Sequence, residues 1–451
     1  MAQREFDVVV IGAGAPGEVV AGRLGEAGLS VAIVEERLVG GECAFYACMP
    51  SKALLRPLEI RDEARRVPGV FVGELDAAAI LARRDEVVHD LDDHGMLPWL
   101  EERRVTVVRG HGRLAGERRV EVGDETLVAR KAVVVATGSS GTIPPVPGLA
   151  EARPWTNVEA TTARQVPGRL AVLGGGVVGV ELSQAWASLG SEVTLLHRAD
   201  RLIEREEPFA SDQIEAALRD YGVDVRLGVS TVSVSRNGSV RLDLEGGGSV
   251  EADELLVATG RTPRTGDIGL DTVGLEPGKY VEVDDTLRVT GTDWLYAIGD
   301  ANGRALFTHM GKYQGRLAAD AILGRPAKLR SDGGASPRVI FTDPQVGAVG
   351  LTLAAAEEAG LRARAVDVET SGNAGGSFVG RGAPGTARLV VDEDRRVVVG
   401  ATITGAEIAE ALHAATIAVV AHVPLDDLWH AVPAFPTRSE LWLRLLEAYG
   451  L

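Results

Sequence analysis

The sequence predicts an α/β protein made of two similar strand–turn–helix–strand modules followed by a C-terminal α+β domain. Three observations carry that expectation. FDVVVIGAGAPGEVVAGRLGEAGLSVAIVEE (6–36) and RLAVLGGGVVGVELSQAWASLGSEVTLLHR (169–198) share one pattern: a β-branched buried strand, a glycine turn, an amphipathic helix and a second strand. From about residue 335 the texture changes to FTDPQVGAVGLT, RLVVDEDRRVVVGATI and AEIAEALHAATIAVVAH, an antiparallel sheet with helices. At 451 residues the chain is too long for one ordinary core, and a prior of roughly 150 residues per domain suggests about three.

The first module reaches its turn at Gly12. A lone GxGxxG is a weak signal, but both copies here lie between a strand and a helix inside a βαβ-length unit. Gly12 and Gly174 permit the tight turn, Gly14 and Gly176 let a pyrophosphate approach, and Gly17 and Gly179 allow close helix–strand packing. The pyrophosphate then rests on the amides of the helix N-terminus. Two dinucleotide-binding, Rossmann-like domains are expected.

The strand ends distinguish the two nucleotides. VAIVE ends on Glu35, an acid that can accept from a ribose hydroxyl and suits an adenosine without a 2′-phosphate. VTLLHR puts His197 in that place and follows it with Arg198, with Arg201 nearby. Losing the acid and gaining cationic donors suits NADPH, with NADH as the alternative. Arg198 and Arg201 can equally be read as solvated charges at a strand end. Further along, KAVVVATGSSGTIPPVPGL (131–149) and ELLVATGRTPRTG (254–266) each read as a strand closing on an Ala-Thr-Gly turn, which brings in Thr137, Gly138 and Gly260. In WLYAIGDANG (294–303), Asp300 is placed to accept from a cofactor hydroxyl. Gly112 and His309 complete the candidate residues around the first nucleotide.

Composition narrows the function classes. The formal charge of -17, with 45% apolar and 25% charged residues and no basic block, argues against nucleic acid or an anionic membrane as partner. No run of about 18 apolar residues is present to span a bilayer, and MAQREFDVVVIGAG lacks the pattern of a secretory leader. Two cysteines cannot make a disulfide framework at this length, so a cytoplasmic address is expected.

Those two cysteines, Cys43 and Cys48, both lie in GGECAFYACMPSK. They can be read as a redox pair, half of a metal site or inert core thiols. The metal reading is weak, since two cysteines supply half a tetrahedral set and no histidine stands at ligand spacing to them. No metal is expected. On a regular helix the two side chains would point about 140° apart at 3.6 residues per turn. A disulfide needs Cα atoms within about 7 Å, so a redox pair requires a distorted segment at or before a helix start, where the dipole favours a thiolate.

In their order, these motifs resemble the flavoprotein disulfide reductases with two dinucleotide folds, the family of dihydrolipoamide dehydrogenase, glutathione reductase and mercuric reductase. The landmarks are the two glycine loops, the Cys43–Cys48 segment, the Asp300 motif and the C-terminal PTRSE. The resemblance implies FAD in the first site, a nicotinamide nucleotide in the second and a homodimer in which each C-terminal domain completes the partner's active site. It divides the chain into an FAD-binding domain (1–149), an NAD(P)H-binding domain (150–268), a second part of the FAD-binding or central domain (269–334) and a dimerisation domain (335–451). The apolar SELWLRLLEAYGL fits an interface or core packing equally. By position, Cys48 would face the flavin as a charge-transfer thiolate and Cys43 would attack the substrate. The resemblance also pairs Lys52 with Glu181 and puts that pair beside the flavin.

One position departs from the family. Its C-terminal signature is His-Pro-Thr with a glutamate five residues after the histidine, whereas this chain reads AFPTRSE, with Phe435 in place of the base and Glu440 retained. His430 has no spacing in its favour and reads as a surface histidine. Phe45 and Tyr46 between the cysteines are bulkier than is usual in the family. An alkyl disulfide leaves a thiolate whose conjugate acid has a pKa of about 8.5, and a positioned acid contributes about 10² to 10⁴ in rate. Ordinary disulfides are therefore expected to be poor substrates. The expected function is electron transfer from NADPH through FAD and the Cys43–Cys48 disulfide to a small-molecule acceptor needing no enzyme-supplied proton: a quinone, a low-pKa disulfide or a metal ion. Two alternatives stand beside it. One resembles 2-ketopropyl coenzyme M oxidoreductase/carboxylase, which shares the histidine-to-phenylalanine change but not the glutamate. The other is a flavin-binding redox sensor without turnover.

Overall fold

The computed structural model describes residues 2–383 and 385–451. It forms two compact units, one from residues 1–50, 85–142 and 261–333, the other from 51–84, 143–260 and 334–451.

In the first unit, five parallel strands run in the order Val105–Arg109, Val31–Glu35, Ala2–Ile11, Glu125–Val135 and Leu295–Ala297. Val31–Glu35 is buried along its whole length, as a parallel strand covered on both faces must be. Alternation sends Val9, Ile11, Ala32, Val34, Val133 and Val135 into one core and Val8, Val10, Val31, Ile33 and Val134 into another. Glu125–Val135 is long enough to pair antiparallel with Arg119–Val122, which pairs with Gly112–Leu114. Gly112 suits that site because an added Cβ would lie about 3.0 Å from Val34.

The loop helix Ala15–Glu26 follows the first strand with Pro16 in its first turn, where a missing N–H costs nothing. Against it packs Thr308–Ile322, which comes close because Gly311 and Gly315 face Pro16 and Val19; a Cβ on Gly315 would lie 2.7 Å from the Pro16 carbonyl oxygen.

The second unit holds a parallel sheet in the order Asp224–Arg226, Glu192–Leu196, Arg169–Leu173 and Glu254–Val257. Its two faces again feed separate cores: Leu170, Val172, Leu195 and Leu256 on one side, Ala171, Leu173, Leu196 and Leu255 on the other. The first of these cores also takes Leu54, Leu55 and Leu58 from the helix Cys48–Arg66.

Residues from 338 onward build a five-stranded antiparallel sheet in the order Arg338–Ile340, Gln345–Gly350, Val397–Gly405, Thr386–Asp392 and Ala363–Glu369. The helices Ile408–Ala421 and Glu440–Tyr449 bury Ile408, Leu412, Leu441, Leu445 and Leu446 in its core. The inner face of SELWLRLLEAYGL thus serves core packing.

Candidate functional site

The first glycine loop is made by geometry that only glycine supplies. Gly12 has φ 102° and faces the Ala136 carbonyl oxygen, and Gly17 packs directly on the Gly12 carbonyl oxygen. The second loop repeats both contacts with Gly174 (φ 116°) against Ala258 and Gly179 against Gly174. Gly176 has open space where a Cβ would stand, which leaves its backbone free to meet a phosphate.

At the end of Val31–Glu35, the Glu35 carboxylate accepts from the N–H groups of Ala13 and Arg37, both at 2.8 Å. Burial is the largest influence on this group and raises its pKa. Asp300, in the turn after Leu295–Ala297, is also raised by burial and accepts from the Ser139 hydroxyl. Arg261 joins them: it donates to Ser139, lies 3.7 Å from Asp300 and pairs with Glu42. The Thr137 hydroxyl beside Gly12 is buried with no hydrogen-bond partner among the described residues. An orphaned hydroxyl in a glycine loop, with acceptors at two strand ends, fits a dinucleotide that supplies the missing partner. Gly138 has φ 74° in the same turn.

The cysteine segment is tied to this loop by its backbone. Gly40 donates to the Ala13 carbonyl oxygen at 2.8 Å and bridges to Gly14, while a Cβ on Gly41 would lie 2.7 Å from the Gly14 Cα. A short helix, Gly41–Phe45, then ends at Tyr46 (φ -134°), and a new helix starts at Cys48. The break lets Cys43 and Cys48 meet. Both are thiols here and hydrogen-bond to one another, and the Cys48 Sγ lies 3.4 Å from the Thr308 hydroxyl. The hydrogen bond to Cys48 and then burial push the Cys43 pKa up, while Thr308 and Lys312 pull it down. His309 stacks on Phe307, with ring centroids 5.5 Å apart.

In the second unit, His197 Nδ1 accepts the Gly175 N–H at 3.1 Å, which places the ring proton on Nε2, 3.5 Å from the Glu204 carboxylate. Arg198 is exposed. Arg201, a candidate donor by position, instead donates to the carbonyl oxygens of Glu204 and Glu206. Gly260 has φ 148°. Lys52 Nζ lies 2.7 Å from the buried Glu181 carboxylate, whose other oxygen accepts the Phe341 N–H at 2.9 Å. The Lys52 ammonium also sits 4.7 Å from the centre of the Phe341 ring.

Phe435 is 76% exposed, on a segment where Val432 is 83% exposed. Glu440 is buried and accepts the Gly375 N–H at 3.2 Å, so its carboxylate holds the 373–377 turn. The spacing of AFPTRSE gave no sign of that partner. A cavity of about 280 Å³ beside Pro436 and Thr437 is lined also by Phe378, Glu407 and Arg438. His430 is exposed at the end of its helix. Asp92, Asp93 and His94 bring possible ligand atoms within 4.8 Å of one another. Asp93 there already accepts from the Val39 N–H and pairs with Arg109.

Two glycine loops shaped for dinucleotides, and a thiol pair fastened to the first of them, define a dinucleotide-dependent oxidoreductase. The chain belongs to the pyridine nucleotide-disulphide oxidoreductase family, whose profile matches residues 6–319, and it carries that family's dimerisation domain over residues 336–445. It is 32% identical over 449 residues to a mercuric reductase of Staphylococcus aureus, covering 97% of this chain and 81% of the relative. It is also 32% identical over 449 residues to a dihydrolipoyl dehydrogenase of Chlamydia muridarum, covering 97% and 95%. Among solved structures, the Cu(II) complex of the HOCl-induced flavoprotein disulfide reductase RclA from Escherichia coli superposes with a TM-score of 0.86 at 25% identity, covering 98% of this chain and 99% of that one. The family is one of flavoprotein oxidoreductases working with FAD and NAD(P)H. Among the described residues, no helix is long and apolar enough to cross a membrane.

Proposed function

We propose that this protein is a cytoplasmic, homodimeric oxidoreductase that draws electrons from NADPH and passes them through the Cys43–Cys48 pair to an acceptor needing no proton from the enzyme. The observation that carries the reading is Phe435, a side chain that holds no proton where the family keeps its base. FAD supplies two-electron transfer between the nicotinamide and the cysteine pair. Gly12, Gly14, Gly17, Glu35, Gly112, Thr137, Gly138, Asp300 and His309 would hold it, within residues 1–149 and 269–334. Gly174, Gly176, Gly179, His197, Arg198 and Gly260 would hold NADPH within 150–268. The exposed Arg198 supports NADPH by offering a cation to a 2′-phosphate. Lys52 would keep a cation near the reacting ring, held by Glu181.

The dimerisation domain and the exposed Val432, Phe435 and Phe378 support a homodimer built through residues 335–451. Quinones, low-pKa disulfides and metal ions satisfy the acceptor chemistry. A thiophilic metal ion such as Cu(II) is the first to try, because a Cu(II) complex stands among the similar structures; mercuric ion ranks lower, since the sequence has no cysteine beyond Cys43 and Cys48 to form a C-terminal pair. Cys43 and Cys48, the chain's only cysteines, are the thiols it would meet.

The test is NADPH oxidation by the purified holoenzyme with Cu(II), a quinone and an aromatic disulfide, against lipoamide and glutathione disulfide. Turnover with the first group at least tenfold above the second is expected. Equal or faster turnover with lipoamide or glutathione disulfide would overturn the reading.

A further inference from the structure

Reduction by a nicotinamide leaves the cysteine pair with one net negative charge. A hydride equivalent carries two electrons and one proton, so the Cys43–Cys48 S–S bond breaks to one thiol and one thiolate while NADPH becomes NADP⁺. In the family this charge is expected beside a histidine, whose position Phe435 holds here. A half-buried thiolate without a nearby cation is unfavourable.

The first unit contains a candidate. Thr308–Ile322 presents its N-terminal turn to the cysteines, with the Thr308 hydroxyl 3.4 Å from Cys48 Sγ. Lys312 follows Thr308 by one helical turn, on the same face, and acts electrostatically on both Cys43 and Glu18. Glu18 stands in the first turn of Ala15–Glu26, the helix against which Gly311 and Gly315 pack. We propose that Lys312 is a positioning residue that stabilises the thiolate of the reduced Cys43–Cys48 pair, with Glu18 as the counter-charge that sets how much of its field the thiolate feels.

The surrounding groups agree in sign. The helix N-terminus adds positive potential from the Thr308 side. Glu42, next to Cys43, is already paired with Arg261, and Glu35 is occupied by the Ala13 and Arg37 N–H groups. Asp300, on the turn Gly299–Asn302 packed against Thr308–Ile322, accepts from the Ser139 hydroxyl and lies 3.7 Å from Arg261, whereas Glu18 is an acid whose pKa the Lys312 charge lowers. Its pKa is raised to about 7 by burial first, with the Glu35 charge adding and Lys312 subtracting. Below pH 7 Glu18 is therefore neutral and Lys312 acts on the thiolate unopposed. Above pH 7 the new carboxylate partly cancels it. Lys312 is solvent-facing, which screens its effect to a modest factor.

This deepens the proposed function and rests on it, yet its test needs neither NADPH nor an acceptor. The holoenzyme is reduced anaerobically with dithiothreitol, desalted and alkylated with iodoacetamide from pH 6 to pH 10, with Cys43 and Cys48 followed separately by peptide mass spectrometry. Lys312→Met is expected to slow the faster cysteine roughly 3- to 10-fold at pH 7 and move its profile to higher pH, while Lys312→Arg keeps the wild-type profile. Glu18→Gln is expected to speed alkylation above pH 7. Superimposable profiles for wild type and Lys312→Met would overturn the proposal. If Lys312→Met does not hold flavin, Glu18→Gln decides: a rise above pH 7 supports the proposal and an unmoved profile overturns it. Failure of the wider reading would show differently, as a reduced pair that forms no Cys43–Cys48 disulfide on mild oxidation.

Discussion

Glu35 and His197 perform the same structural task in the two modules. Each accepts the N–H of the residue after the first glycine of its own loop, Ala13 at 2.8 Å and Gly175 at 3.1 Å. The acid-for-imidazole exchange therefore keeps the loop conformation and takes the negative charge off the loop's own acceptor, the nearest carboxylate being that of Glu204 on the far side of the ring, 3.5 Å from Nε2. That is the physical content of the nucleotide preference proposed above.

The cation next to His197 should then decide between nucleotides. Arg198→Glu is expected to raise the KM for NADPH about tenfold or more and to leave NADH nearly unchanged, since one charge-assisted hydrogen bond is worth about 1.5–3 kcal/mol. Steady-state kinetics with both nucleotides checks this. Equal effects on both would remove Arg198 from the 2′-phosphate site.

Restoring the base should restore ordinary disulfide chemistry. Phe435→His is expected to raise lipoamide reduction roughly 10²- to 10³-fold, the lower part of the range for a positioned acid–base group. Glu440 can orient the new ring only with the oxygen not accepting the Gly375 N–H, which argues for that lower part. Lipoamide-dependent NADPH oxidation is the measurement.

Lys52 and Glu181 should be unequal in mutation. Removing the cation strands a buried carboxylate, whereas Glu181→Gln keeps an oxygen for the Phe341 N–H. Lys52→Met is expected to cost about 1–2 kcal/mol, limited because the Lys52 side chain is 34% exposed, and Glu181→Gln less. Urea unfolding midpoints would rank the two variants.

Glu18 predicts a pH dependence of stability. Its pKa rises from 4.5 to about 7 on folding, so the folded state holds the proton more tightly. That contribution is complete below pH 4.5 and is lost as pH rises through about 7. Glu18→Gln should match wild type at pH 4.5 and exceed it at pH 8 by up to about 3 kcal/mol, at 1.36 kcal/mol per pKa unit. Melting at the two pH values tests the sign.

Much of this molecule is legible in its sequence because glycine turns and β-branched runs are local signals. Gly12, Gly17, Gly174 and Gly179 have the contacts their spacing implies. The need for a break between Cys43 and Cys48 followed from helix periodicity alone, and the chain breaks at Tyr46. Partners far apart in sequence carry no such mark. Nothing near Glu440 announces the Gly375 N–H, and nothing near Arg201 announces the carbonyl oxygens that occupy it. Nothing around Leu54, Leu55 and Leu58 in the sequence indicates that they share a core with Leu170 and Val172. Lys312 and Glu18 were silent for the same reason, each an ordinary charge until two helices meet.

The backbone bridge between Gly14 and Gly40 makes the phosphate loop and the cysteine segment one cooperative piece of chain. Opening either one alone costs the Gly40 N–H its Ala13 carbonyl oxygen, whichever side moves, which favours their opening together. Amide hydrogen exchange would see them as a single foldon, with Gly40 sharing the opening free energy of the loop that precedes the helix Ala15–Glu26. Damage to the nucleotide cradle and damage to the thiol chemistry would in that case be inherited together.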